Sequence, residues 1–254
     1  MSKFKNGKYP KWVLGLCVIG VVTAGVWAIP TITPKELPSE PELPPTTTES
    51  YVETQATQET TIPVVEEIQL PWNLILVNPW NRIPEDFSVE LAQWEGEQQV
   101  DERIYPDLEQ MMADMGAEGL RPLICSSYRT DEKQQSLFRK KVESYLEQGY
   151  SLTEADEAAG KWIAVPGTSE HQTGLAMDII DMGYPYLNEK QENTAVQKWL
   201  MAHSWEYGFI LRYPREKSDI TGINYEPWHY RYVGKEAAKE IYELGICLEE
   251  YLEK

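Results

Sequence analysis

The chain of 254 residues carries 41 acidic and 23 basic side chains, which gives it a formal net charge of −18 at pH 7. Such an acidic surface repels phosphate backbones, so the charge argues against nucleic acid as a partner. Apolar residues make up 42% of the sequence. Apart from a short N-terminal run, they lie mainly in the last ~185 residues, a length sufficient to bury one good core.

The N-terminus has the features of a membrane anchor. Residues 1–11 carry four lysines and no acid, and residues 12–29 form an uncharged run of 18 residues with Trp12 and Trp27 near its ends. This length is at the short limit for crossing a bilayer, and the lysines predict a cytoplasmic N-terminus. We therefore expect a single-pass membrane protein. A signal peptide is the alternative, but the apolar run is long for one and lacks a good cleavage pattern.

Residues 30–69 are rich in Pro, Thr and Glu, with eight Glu against one Lys. Such a segment lacks the apolar surface needed to offset the entropy of ordering, so we expect a disordered stalk. A flexible coil of this length reaches about 35 Å. The predicted organisation is a cytoplasmic tail (1–11), an anchor (12–29), a stalk (30–69) and an extracytoplasmic domain (70–254).

The domain mixes helical and strand patterns in a non-repeating order. Leu108, Met111, Met112 and Met115 have helical spacing, and a short buried strand is expected at Pro122–Cys125. The other expected elements are a helix from Thr130 or Asp131 to about Glu147, a short helix capped by Thr153 and Asp156, a helix from Thr194 closing at Gly208, a strand at Phe209–Arg212 and a final helix at Lys235–Leu252.

The stretch Ser169–Ile179 has the features of half a metal site. In an extended strand the residues of 175–180 alternate between two faces, which places Asp178 among apolar neighbours. A buried carboxylate needs a cation, a hydrogen-bond network or a metal. A tight turn at Gly174 could fold His171 back beside Asp178, and an imidazole and a carboxylate that converge in this way are common zinc ligands.

The second half of the site lies at Tyr225–Val233. Pro227 biases Glu226 towards an extended conformation, so this is not the zinc-protease helix with two histidines one turn apart. His229 can join the first two ligands and leave Glu226 near the metal but unbound. Three protein ligands with an open fourth position are typical of catalytic zinc, so we expect one Zn²⁺ per chain. Glu226 is the candidate base that accepts a proton from water.

These motifs resemble those of the zinc-dependent D-alanyl-D-alanine carboxypeptidases and dipeptidases of the vancomycin-resistance type. The family pattern Ser-x-His-x-x-Gly-x-Ala-x-Asp is met by Ser169, His171, Gly174, Ala176 and Asp178. Its companion Glu-x-Trp-His, with an Arg two residues on, is met by Glu226, Trp228, His229 and Arg231. A third element, Tyr-Arg followed by Gln, is met by Tyr128, Arg129 and either Gln134 or Gln135. The resemblance covers residues 70–233.

The resemblance implies an α+β fold in which a small antiparallel sheet, flanked by helices, carries the zinc site. His171, Asp178 and His229 would be the zinc ligands, Glu226 the catalytic base, and Arg129 the cation that faces the tetrahedral oxyanion. The implied substrate-binding residues are Tyr128, Gln134, Gln135, Ser169 and Trp228, and which of the two glutamines faces the site stays open. The implied reaction is hydrolysis of the terminal D-Ala-D-Ala bond of peptidoglycan pentapeptide stems. Such an activity would serve wall maturation, recycling or resistance to glycopeptide antibiotics.

Other functions would share parts of this pattern. An endopeptidase or a dipeptidase of the same family would use the same constellation, and a non-catalytic cell-wall binding module would not need Glu226 beside the metal. A serine D,D-peptidase needs Ser-x-x-Lys, which occurs only at Ser2–Lys5 in the predicted cytoplasmic tail.

His203 lies on an apolar helix stripe, so we expect a hydrogen-bonded core residue and not a ligand.

Overall fold

The computed structural model of the protein describes residues 70–254, which form an α+β domain. Its strands are β1 (Leu91–Gln93), β2 (Gln99–Asp101), β3 (Pro122–Ser126), β4 (Ala176–Asp181), β5 (Phe209–Leu211) and β6 (His229–Tyr232). Its helices are α1 (Tyr105–Ala117), α2 (Asp131–Leu146), α3 (Leu152–Gly160), α4 (Ala195–His203), α5 (Ser218–Thr221), α6 (Lys235–Leu244) and α7 (Leu248–Leu252).

Four strands form an antiparallel sheet in the order β3-β4-β6-β5, and β1 pairs with β2 in a separate antiparallel hairpin. The central strand β4 is buried on both faces along almost its whole length. Its residues alternate between those faces, as the sequence pattern predicts. The small antiparallel sheet expected from the family resemblance is therefore confirmed.

The main core lies on one face of this sheet. Met177 and Ile179 of β4 and Tyr230 of β6 pack there against helices α1 and α4, and all three side chains are fully buried. Burial of each large apolar side chain contributes about 1.5–3 kcal/mol. Because strand residues alternate, Asp178 and His229 project from the opposite face. The core thus holds the two strands while their polar residues face away from it.

The helix boundaries follow local capping signals. Thr130 caps α2 by accepting a hydrogen bond from the Lys133 backbone N–H, as predicted. The predicted cap of α3 is wrong, because Ser151 is the N-cap and forms a reciprocal capping box with Glu154. The predicted final helix is in fact two helices, α6 and α7. Gly245 adopts a φ of +64° and ends α6, a conformation that glycine adopts without strain.

Within residues 70–254, no helix has the length and apolar character needed to cross a bilayer. The predicted tail, anchor and stalk (1–69) lie outside the described residues, so they stay predictions.

Candidate metal centre and active site

The two strands and a preceding turn bring the three candidate ligands together. Asp178 of β4 lies directly opposite His229 of β6 in the antiparallel register. His171 lies in a 3₁₀ turn, Glu170–Thr173, which ends at Gly174 with a φ of +75°. A Cβ at that glycine would lie 2.9 Å from the backbone nitrogen of Asp101, so both the turn and the close approach require glycine.

The ligand atoms converge on one point. His171 Nε2 lies 3.3 Å from Asp178 Oδ1, and His229 Nδ1 lies 3.2 Å from the same oxygen. One ligand atom from each of the three residues lies within 4.8 Å of the others. Two ligands of a tetrahedral zinc, each about 2.0–2.1 Å from the ion, are separated by about 3.3 Å. The donor set and its spacing therefore fit a single zinc ion.

The second nitrogen of each histidine is also bound. His171 Nδ1 donates to the carbonyl oxygen of Ser127 at 2.9 Å, and His229 Nε2 lies 3.3 Å from Glu170 Oε2. Such outer hydrogen bonds select the tautomer and hold the ring in orientation. They leave Nε2 of His171 and Nδ1 of His229 directed at the candidate metal position.

Burial and neighbouring charges set the protonation of these groups. Burial, with the nearby charge of Arg129, lowers the pKa of His171 to about 4. Burial opposes ionisation of Asp178, but the two histidines and Arg129 hold its pKa well below the usual range. Burial also opposes protonation of His229, yet its hydrogen bonds to Asp178 and Glu170 raise its pKa to about 9. A metal must displace that proton, so binding is expected to release one.

Glu226 lies beside the ligands without joining them. It is only 8% exposed, and its Oε2 lies 3.8 Å from Nδ1 of His229. Burial raises the pKa of Glu226 to about 8, and the negative charge of Asp178 adds to the rise. A carboxyl group in this environment can exchange a proton near neutral pH, as a general base requires.

Arg129 lies at the end of β3, where it contacts both the ligand cluster and helix α2. Its Nη2 donates to Asp178 Oδ2 at 2.9 Å and to Ser126 Oγ at 2.8 Å. Its Nη1 lies 3.3 Å from Oε1 of Gln134. Arg129 therefore neutralises the buried Asp178 and is held in one orientation by three partners.

These groups lie in a pocket of about 590 Å³. Of the residues predicted from the sequence, it is lined by Arg129, Ser169, His171, Asp178, Glu226, Trp228 and His229. The other three predicted substrate-binding residues are not part of its wall. Gln134 is buried and donates to the carbonyl of Ala164, Gln135 is exposed and bound to Asp131, and Tyr128 is half-buried beside β2. Their roles with substrate stay predictions.

Behind His229 lies a buried ion network that the sequence analysis missed. Glu170, 1% exposed, accepts hydrogen bonds from Arg212 and Arg231, each at 2.7 Å. Arg212 in turn donates twice to Glu249 of α7. Although burial opposes its ionisation, the two guanidinium groups hold the pKa of Glu170 well below its usual range. Two sequence features could have pointed to this network. Glu170 directly precedes the candidate ligand His171, and Arg231 lies two residues after the candidate ligand His229.

The sequence analysis missed one further pocket residue, Tyr213, and it misplaced His203. The ring of Tyr213 lies 4.7 Å from that of His229 and lines the pocket, and no motif pointed to it. The prediction that His203 is a core residue is wrong, because its side chain is 48% exposed and pairs with Glu206 on the surface. His203 takes no part in the ligand cluster.

Comparison with known proteins identifies the family of this chain. The model of the VanY D-alanyl-D-alanine carboxypeptidase family matches residues 97–235. The chain belongs to this family. A D-alanyl-D-alanine carboxypeptidase of Enterococcus faecalis is 48% identical over 181 residues, which cover 71% of this chain and 66% of the relative. The match to that relative therefore leaves about a third of its length uncovered.

Two solved structures of VanY enzymes are similar to this chain over almost their whole length. The vancomycin-resistance D,D-pentapeptidase VanY from a VanB-type resistance cassette, crystallised as a mutant in complex with Zn(II), is 48% identical with a TM-score of 0.66. VanYB in complex with D-alanine-D-alanine is 47% identical with a TM-score of 0.67. Each comparison covers 72% of this chain and 99% of the other. Almost the whole of each crystallised chain is therefore matched by this chain.

Proposed function

We propose that this chain is a zinc-dependent D,D-carboxypeptidase that removes the terminal D-alanine from peptidoglycan pentapeptide stems. The observation that carries the proposal is the convergence of His171 Nε2, Asp178 Oδ1 and His229 Nδ1 at the base of an open pocket, beside the buried Glu226. Family membership and the neighbours bound to Zn(II) and to D-alanine-D-alanine support the same metal and the same substrate end.

The three ligands hold the zinc, and the roles of the neighbouring residues follow from their positions. When bound, zinc supplies Lewis acidity, which polarises a carbonyl and lowers the pKa of water. Glu226 accepts the proton of the attacking water and delivers it to the leaving amine. Arg129, fixed by its partners at the pocket wall, stabilises the negative charge that develops on the carbonyl oxygen.

The predicted location favours a carboxypeptidase over a dipeptidase. A dipeptidase of free D-alanyl-D-alanine is most useful in the cytoplasm, where that dipeptide is made. An anchor at 12–29 and a stalk at 30–69 would instead place the domain outside the cell membrane, near the stem peptides of lipid-linked precursors and new wall. Loss of the terminal D-alanine there would serve wall maturation or glycopeptide resistance, and one of the VanY neighbours is named for vancomycin resistance.

The test is mass spectrometry of the products after the zinc-loaded full chain is incubated with a muropeptide pentapeptide. The expected product is the tetrapeptide together with one D-alanine. A C-terminally amidated pentapeptide should resist cleavage, because a carboxypeptidase recognises the free terminal carboxylate. Equal cleavage of the amide would indicate an endopeptidase and overturn the proposal.

Two controls separate related activities. A stem tetrapeptide should stay intact, since release of its D-alanine would be L,D-carboxypeptidase activity. Penicillin should not inhibit the reaction, because the proposed chemistry offers no serine for a β-lactam to acylate.

A further inference from the structure

One cation in the pocket takes no part in the chemistry described above. Lys141 lies on helix α2, two turns after the buried Gln134, and lines the pocket together with Trp162 and Ile163. Its Nζ lies 5.3 Å from the ring of Tyr145 and 5.7 Å from that of Trp162. These distances allow both rings to stabilise the ammonium group, which is held half-buried in a largely apolar wall.

Within the part of the chain that the structure describes, no carboxylate lies within 4.0 Å of Lys141 Nζ, whereas Lys217, which is also half-buried, pairs with Glu250 at 2.8 Å. The sequence has 41 acidic residues against 23 basic ones, so acidic partners are abundant. Burial lowers the pKa of Lys141, and the charge of Glu226 partly offsets this effect. The lysine thus bears a desolvation cost that no salt bridge within the described domain offsets.

The other donors at the pocket are already used or poorly placed. Arg129, another cation of the pocket wall, already donates to Ser126 and Asp178. Lys190 also lines the pocket, but it is exposed, so solvent and salt screen its charge. Lys141 is therefore the best-placed cation for a negatively charged group that enters this wall of the pocket.

We propose that Lys141 is a specificity-determining residue whose ammonium group binds a carboxylate of the peptide substrate. This inference rests on the proposed function and names the chemistry by which that substrate is recognised. A pentapeptide stem with lysine at its third position offers two such carboxylates, the terminal one and the α-carboxylate of its γ-linked D-glutamate. Both have the same chemistry, so the experiment must separate them.

The experiment measures the Kd of peptides by calorimetry, with the full chain loaded with zinc and carrying Glu226→Gln so that turnover does not interfere. Lys141→Met keeps the aliphatic stem and its packing but removes the charge. It should raise the Kd of the pentapeptide at least tenfold, because a charge-assisted hydrogen bond is lost. Lys140→Met, which changes the exposed neighbour on the same helix, should stay within about twofold of the parent. Lys141→Arg should retain most of the affinity.

Three amidated peptides identify the bound carboxylate. If the Lys141→Met effect disappears for the C-terminal amide, Lys141 binds the terminal carboxylate. If it disappears for the peptide amidated at D-glutamate, Lys141 binds that group. A tenfold effect that persists when both carboxylates are amidated overturns the proposal. So does a Kd for Lys141→Met that matches Lys140→Met, or a failure of the parent to bind the pentapeptide.

Failure of the proposed function has a separate readout, which is the absence of D-alanine release by the chain with Glu226 intact. Binding that depends on Lys141 without such release would refute the carboxypeptidase and leave this inference standing.

Discussion

His229 separates two clusters of charged groups that differ in how they are satisfied. The inner cluster consists of Glu170, Arg212, Arg231 and Glu249, and its carboxylates and guanidinium groups bond to one another. The pocket cluster consists of Arg129, Lys141 and Glu226 around the candidate ligands. Here Glu226 is buried with a raised pKa, and Lys141 has no salt bridge within the described domain.

The difference indicates that the two clusters have different roles. A fully bonded buried network is costly to disturb, because removal of one member leaves the others without partners. It holds the outer nitrogen of His229 and so orients the ring. The pocket cluster keeps its polar groups available for water, metal and substrate. We therefore expect changes in the pocket cluster to affect turnover and changes in the inner cluster to affect metal affinity and stability.

The largest effect is expected from loss of a ligand. His171→Ala, Asp178→Ala or His229→Ala should each abolish stoichiometric zinc binding and, with it, activity, because two ligands hold zinc far more weakly than three. Metal analysis of the purified variants checks this. His203→Ala is the matched control, since His203 is an exposed histidine outside the cluster, and it should keep its zinc. A variant that retains a full zinc would remove that residue from the ligand set.

Next in size is Glu226→Gln, which should reduce kcat by roughly 10²–10⁴-fold while the zinc content stays unchanged, because a carboxamide cannot accept the proton of water. The folded pKa of about 8 lies above the ordinary value of 4.5. Between pH 4.5 and 8 this carboxyl stays protonated in the metal-free fold while it is ionised in the unfolded chain, so its contribution to stability falls as the pH rises through that range. The substitution should accordingly not lower the Tm at neutral pH. Near-normal kcat would assign the base to another group.

A smaller loss, about 10²–10³-fold in kcat, is expected for Arg129→Ala, because a cation aimed at charge that develops in the transition state acts chiefly there. The salt bridge to Asp178 gives Arg129 a second role, so zinc affinity should also fall. Steady-state kinetics with zinc in excess separate the two effects. A rise in KM alone would make Arg129 a substrate-binding residue.

The smallest effect is expected from two variants of the inner cluster. This pair also gives the sharpest test of the comparison between the two clusters. Glu170→Gln should weaken zinc binding by roughly 10–100-fold, as is usual when a hydrogen bond to a ligand histidine is changed. Glu249→Gln removes a carboxylate from the same network but does not touch His229. It should lower the Tm and leave zinc affinity nearly unchanged. Competition with a chelator measures the zinc affinity of each variant, and thermal unfolding measures its Tm. Equal zinc affinities of the two variants would show that the network has no role in orienting the histidine.

The sequence by itself pointed to the three candidate ligands and to Glu226, because they lie within two short motifs. Strand alternation around Asp178 and the turn at Gly174 are local properties of neighbouring residues, and both were predicted correctly. The prediction that no helix forms around Pro227 is also confirmed, and a strand follows at His229. Capping depends on only a few residues, so the start of α2 was also predictable.

Only the tertiary structure decided the partners of these residues. The register that sets Asp178 opposite His229 depends on how two strands 51 positions apart in the chain pair. Glu170 meets Arg212 and Arg231, which are 42 and 61 positions away, and no local pattern records such pairs. The same holds for the surface position of His203. Secondary structure follows from forces between near neighbours, whereas a buried charge finds its counter-ion only when the chain has packed.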